Sequence, residues 1–160
     1  MRIGPHKKLM RMAIAEARKN LKALSGGPFG ACIVKNGRVL AVCRNRVLKN
    51  KDATCHAEVT AIRAASRKLR NFDLSGCTIY STNEPCPMCF SAIHWARIGT
   101  LVYGTSIRDV KRRGFNELPI AAKRMKKMGG SKVKTYAGFL LKECKKLLGD
   151  WDKLENKPVY

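Results

Sequence analysis

Two short segments hold the residue types that could do chemistry. His56-Ala57-Glu58 stands thirty residues before Cys86, which lies in Pro85-Cys86-Pro87-Met88-Cys89. Three soft metal ligands beside one carboxylate suit a catalytic zinc, because three protein ligands leave the fourth tetrahedral position to water. Cys86 and Cys89, three apart at a helix start, put both sulfurs on one side, where backbone N–H groups and the positive helix end stabilise thiolates. His56, opening the preceding helix, supplies the third ligand as neutral imidazole. Zinc lowers the pKa of water from about 16 towards roughly 7, but two thiolates blunt that acidity, so a nearby base is useful. Glu58 is placed to be that base. Cys55 is the competing ligand, since a thiol in the fourth position would make the zinc structural. Helix neighbours point about 100° apart, which turns Cys55 away from the ion that His56 faces.

Helices and strands in alternation must position these groups. Leu9, Ala13, Ala17, Leu21 and Leu24 share one helix face over 7–24, and Ser25-Gly26-Gly27-Pro28 stops that helix. Runs 29–34 and 38–43 are strand-like and flank Asn36-Gly37, so they are expected to form an antiparallel hairpin. Asp52 or Thr54 is expected to cap a helix from about 55 to 69, ahead of a strand at 77–82. Prolines 85 and 87 favour a helix start, with 88–97 as its body. A strand at 100–104, a helix near 119–128, a short strand at 133–136 and a helix at 139–148 complete the chain. A hairpin followed by this alternation implies one five-stranded sheet with helices on both faces. A helix between the fourth and fifth strands makes the fifth strand parallel. No linker or repeat divides 1–160, so one α/β domain is expected, with its core at about 7–149 and a tail at 150–160.

A chain of 160 residues with 45% hydrophobic content can bury a real core. Its apolar runs fall far short of the roughly 20 residues of a membrane helix, and no apolar leader opens it, so no membrane role and a cytoplasmic location are expected. Seven cysteines argue for reduced thiols, of which Cys32, Cys43 and Cys77 read as small buried hydrophobes. A net charge of +22 attracts polyanions, so tRNA or another nucleic acid is one partner it allows; a strongly solvated surface is the other reading.

From about Leu9 to Leu148 the chain resembles the cytidine deaminase superfamily, in its branch of purine and tRNA adenosine deaminases. The segments that carry this are Gly27-Pro28-Phe29-Gly30-Ala31, Arg44-Asn45-Arg46, Asp52-Ala53-Thr54-Cys55-His56-Ala57-Glu58 and Glu84-Pro85-Cys86-Pro87-Met88-Cys89. His-x-Glu with Pro-Cys-x-x-Cys is specific to zinc deaminases, in which the glutamate is the acid/base and not a ligand. The resemblance implies a three-layer α/β/α fold, a Zn2+ cofactor, a homodimer, and hydrolysis of an amino group from a nucleobase, with Glu58 passing protons from water to the ring and the leaving amine. Ala92-Ile93-His94-Trp95-Ala96-Arg97 and Gly114-Phe115-Asn116-Glu117 are most similar to bacterial guanine deaminases and guanosine-deaminating relatives. That likeness implies that Asn45 bonds the base, Phe29 and Trp95 pack against it, and Ala57 offers its backbone N–H. It also implies that Glu117 relays protons and that Asn116 belongs to the substrate site.

Each of these has a plainer role open to it. Trp95 could serve core or subunit packing, Asn45 a loop backbone, and Glu117 a helix start. The chain also departs from the guanine deaminase pattern, which carries acidic residues at both positions after Gly-Phe, whereas Asn116 stands first here. Gly138, Leu140, Glu143 and Cys144 are more similar to the tRNA enzymes. Lys157-Pro158-Val159-Tyr160 resembles guanine deaminase tails whose aromatic end covers an active site, sometimes the partner's. The expected substrate is therefore guanine, or guanosine or a related aminopurine. Adenosine in tRNA is the first alternative; cytosine, or a catalytically idle RNA-binding zinc protein, is the second.

Overall fold

The computed structural model describes residues 4–160. The first helix forms where Met10, Ala13, Ile14 and Ala17 share one buried face, giving α1 (Lys7–Arg18) and, after a one-residue break, α2 (Asn20–Ala23). Strands β1 (Gly30–Lys35) and β2 (Arg38–Arg44) pair antiparallel. Asn36 and Gly37, both at positive φ (49° and 75°), make the two-residue turn that matches strand twist.

The remaining elements are α3 (Val47–Asn50), α4 (Ala57–Leu69), β3 (Cys77–Asn83), α5 (Pro87–Trp95), β4 (Thr100–Thr105), α6 (Ile107–Lys111), α7 (Ala122–Gly129), β5 (Lys134–Tyr136) and α8 (Leu141–Asp152). One sheet runs β2-β1-β3-β4-β5, with β1 antiparallel to β3 and with β3, β4 and β5 mutually parallel. The expected mixed five-stranded α/β sheet, with its hairpin and its parallel fifth strand, is thus present. Alternate strand residues feed two cores. Cys32, Tyr80 and Val102 pack with α1 and α8, while Ile33, Ile79 and Leu101 pack with α4 and α5. Among the described residues, no helix is long and apolar enough to cross a membrane.

Some local expectations need correction. The N-cap of α4 is His56, not Asp52 or Thr54. Asp52 instead accepts the N–H and hydroxyl of Thr54, at 2.8 and 2.7 Å, closing a turn ahead of the helix. The short helices α3 and α6 carry too few residues to show a hydrophobic period, although α6 has a capping box from Ser106 and Asp109. Cys32 and Cys77 are buried as expected, whereas Cys43 is only partly so.

Candidate metal centre and substrate cavity

Two helix starts converge at the end of β3. His56 precedes Ala57, the first residue of α4, while Cys86 caps α5 and Pro87 takes that helix's first position, where its missing N–H costs nothing. Cys89 follows in the first turn. His56 Nδ1 lies 3.6 Å from Cys86 Sγ and 3.5 Å from Cys89 Sγ, and all three donor atoms fall within 4.8 Å of one another. Zinc–sulfur and zinc–nitrogen bonds of about 2.3 and 2.0 Å at tetrahedral angles place such atoms roughly 3.5 to 3.8 Å apart, so the donor set fits zinc.

The charges agree with that fit. A hydrogen bond from the Cys89 thiol, together with His56, draws Cys86 down to about 4 against the opposing effect of burial. Its thiolate and burial in turn push Cys89 well up, so the pair holds one proton that a cation would expel. Burial alone would lower His56, but Cys86 and Glu58 outweigh it and raise it. Cys55 turns elsewhere: its thiol donates to Asp52 Oδ2 at 3.3 Å and accepts from Asn50 Nδ2 at 3.4 Å.

Glu58, 3% exposed, lies just inside α4. Its Oε1 accepts the Ser81 hydroxyl at 3.0 Å, and its Oε2 faces the Cys89 thiol at 3.4 Å. Burial, the largest influence, raises its pKa.

A cavity of about 560 Å³ opens beside these groups, lined on the far side by Phe29, Asn45, Phe115, Asn116, Glu117 and Tyr160. Asn45 Oδ1 accepts the Val47 backbone N–H at 3.1 Å and the Tyr160 hydroxyl at 2.7 Å. A backbone N–H can only donate, which fixes the amide and leaves Asn45 Nδ2 as a donor without a partner among the described residues. Gly26 must be glycine, because a Cβ there would overlap that Oδ1. Tyr160 also accepts the Gly27 N–H at 2.9 Å, and burial pushes its hydroxyl to about 12, so it stays a donor. Phe115 meets Phe29 edge-on at 5.1 Å and Tyr160 at 5.6 Å. Burial, followed by the charge of Cys86, raises Glu117 to about 7.

His56, Cys86, Cys89, Glu58, Glu117, Phe29, Asn45, Asn116 and Tyr160 are therefore brought together. Trp95 is not: it is 78% exposed at the end of α5 and lies outside the cavity lining. Six residues at about 100° each carry it roughly 240° round the helix from Cys89, away from the metal side. Ala57 is buried and also outside the lining; it begins α4, where first-turn N–H groups lack helical partners. Tyr160 is one of the residues that line the cavity.

Sequence reasoning missed Asn83, Phe115 and Glu84. Asn83 lines the cavity, donates Nδ2 to Glu84 O at 3.2 Å, and leaves Oδ1 without a partner among the described residues. The period of two in β3, which puts Asn83 on the face of Ser81, could have found it.

Comparison with known proteins agrees with this geometry. The family model for the cytidine and deoxycytidylate deaminase zinc-binding region matches residues 4–105. The chain is 36% identical over 155 residues to a guanine deaminase of Bacillus subtilis, covering 97% of this chain and 99% of that one. It is 34% identical over 126 residues to a tRNA-specific adenosine deaminase of Buchnera aphidicola, covering 79% and 80%. A solved guanine deaminase structure from Nitrosomonas europaea superposes with a TM-score of 0.85 at 28% identity, covering 95% of this chain and 87% of that one.

Proposed function

The chain belongs to the cytidine and deoxycytidylate deaminase zinc-binding family, and from that premise we propose that this zinc-dependent deaminase hydrolyses guanine to xanthine and ammonia. The observation that carries the choice of a free base is Tyr160, whose hydroxyl joins the Gly27 N–H and Asn45 Oδ1 on one wall and so seats its ring in the lining of the cavity, taking up room that a polymer would need. The likeness to a guanine deaminase, which runs nearly end to end, supports the same choice.

His56, Cys86 and Cys89 would hold zinc, which when bound would act as a Lewis acid and make water nucleophilic at neutral pH. Glu58, anchored by Ser81 and raised by burial, accepts the water's proton and delivers it to the ring nitrogen beside the amino-bearing carbon. Asn45 offers its free N–H groups to an acceptor on the base, and Phe29 and Phe115 enclose the ring and exclude water. Glu117, near 7, gives the departing amine its last proton, and the proton that the new hydroxyl releases on becoming the carbonyl returns to Glu117 by way of Glu58. Asn116, whose N–H is bonded to Tyr160 O at 3.0 Å, keeps the loop and tail together over the base.

Adenosine in tRNA is the second reading, favoured by the net charge of +22 and by the relative from Buchnera. We place the protein in the cytoplasm, as a single domain that pairs with a second copy. Exposed Trp95 and Met128, on the neighbouring helices α5 and α7, are the apolar surface that suits such pairing. Sedimentation at a monomer's mass would reject the dimer. Conversion of guanine to xanthine, followed by absorbance with one ammonia released per base, tests the activity, and zinc-loaded protein that leaves guanine intact would refute it.

A further inference from the structure

Glu84 sits two residues before Cys86 and is 5% exposed, yet it pairs with no cation among the described residues. A buried carboxylate needs hydrogen-bond donors, and this one takes them from the backbone. Its Oε2 accepts the N–H of Ile107 at 2.9 Å and its Oε1 that of Ala122 at 2.8 Å. Its own N–H donates to Thr105 O at 2.7 Å, which ties the residue to the end of β4.

Ile107 and Ala122 are the first residues of α6 and α7. N–H groups there have no intrahelical acceptor, and the N-cap of α7, Ala121, offers no side-chain partner. One carboxylate thus satisfies a donor at each end of the segment 107–122. Phe115, Asn116, Glu117 and Leu118, which form one wall of the cavity, all lie between those two points.

We propose that Glu84 is a positioning residue that sets the Glu117 wall at its working distance from the metal-ligand turn. The segment is held at both ends by a side chain whose backbone continues directly into Pro85 and Cys86, so a shift of either anchor changes the distance between the two catalytic carboxylates. Glu84 touches no substrate; it acts through Glu117. The role rests on the assignment of Glu117 under the proposed guanine deamination.

The test uses Glu84→Gln in zinc-loaded protein, alone and combined with Glu117→Gln. Glutamine keeps one acceptor and sets an N–H group against the other backbone N–H. Hydrogen exchange at the Ile107 or Ala122 amide should therefore quicken at least about tenfold while zinc stays near one per chain. On guanine, kcat should fall about tenfold to a hundredfold with KM changed far less, since misplacement by an ångström costs on that order. In the Glu117→Gln background the same change should cost less than about twofold, because the group it positions is already gone. Ala122→Pro removes one anchored N–H at a position that tolerates proline, and it should lower kcat in the same direction by a smaller factor. Equal losses in both backgrounds, loss of zinc, or unchanged exchange with unchanged kcat would overturn the proposal. If wild-type protein fails on guanine, the functional reading is what fails, and the exchange measurement still shows whether Glu84 anchors the wall.

Discussion

The metal-binding wall of the cavity comes from two helix starts between His56 and Cys89, whereas the facing wall draws on Asn45, the 115–118 loop and Tyr160. The first is local chemistry. Spacing of three puts two sulfurs together at the beginning of α5, Pro87 fixes that beginning, and Glu58 follows His56 into α4. The second depends on contacts such as that between Tyr160 and Asn45, residues 115 apart in sequence. Under the proposed function, the metal wall activates water and the facing wall selects the molecule that receives it.

Variants of each wall should separate those roles. The largest effect is expected from Cys86→Ala with Cys89→Ala, which removes two of three ligands. Elemental analysis should find the zinc gone and ammonia release at background, whereas a full metal complement would break the ligand assignment. Glu58→Gln should keep zinc and fold but lose about a hundredfold to ten-thousandfold in kcat. Activity within about twofold of wild type would mean that another base, such as Glu117, does its work.

The facing wall should respond less and differently. A carboxyl held near 7 is protonated below that pH and ionised above it. As the donor to the departing amine, Glu117 should therefore give a kcat that falls as pH rises through about 7, and Glu117→Gln should abolish that limb of the profile. A profile identical in the two proteins would remove Glu117 from the reaction. Tyr160→Phe deletes one bridging hydroxyl and should raise KM for guanine about twofold to tenfold with little change in kcat, the scale of one neutral hydrogen bond. A selective fall in kcat would instead place Tyr160 in the chemistry.

This contrast also explains what the sequence disclosed. The hairpin, the succession of strands and helices along the chain and the ligand set follow from turn chemistry, hydrophobic period and spacing, all of them local. Asn45, Glu117 and Tyr160 could be named only through resemblance, because nothing near them in sequence marks a cavity. Trp95, named through the same resemblance, lies outside the cavity lining and exposed, because its turn about α5 carries it away from Cys89. Glu84 was not singled out, because a glutamate before a proline reads as surface charge until its two backbone partners, 23 and 38 residues away, are seen.

The most direct measurement is ammonia release from guanine beside that from an anticodon stem-loop carrying a wobble adenosine, each at low and at physiological salt. Guanine is neutral, so its turnover should change less than about twofold with salt, while the stem-loop should bind weakly, with an affinity that falls steeply as salt rises, and should remain undeaminated. Efficient conversion of the adenosine with no activity on guanine would contradict the account.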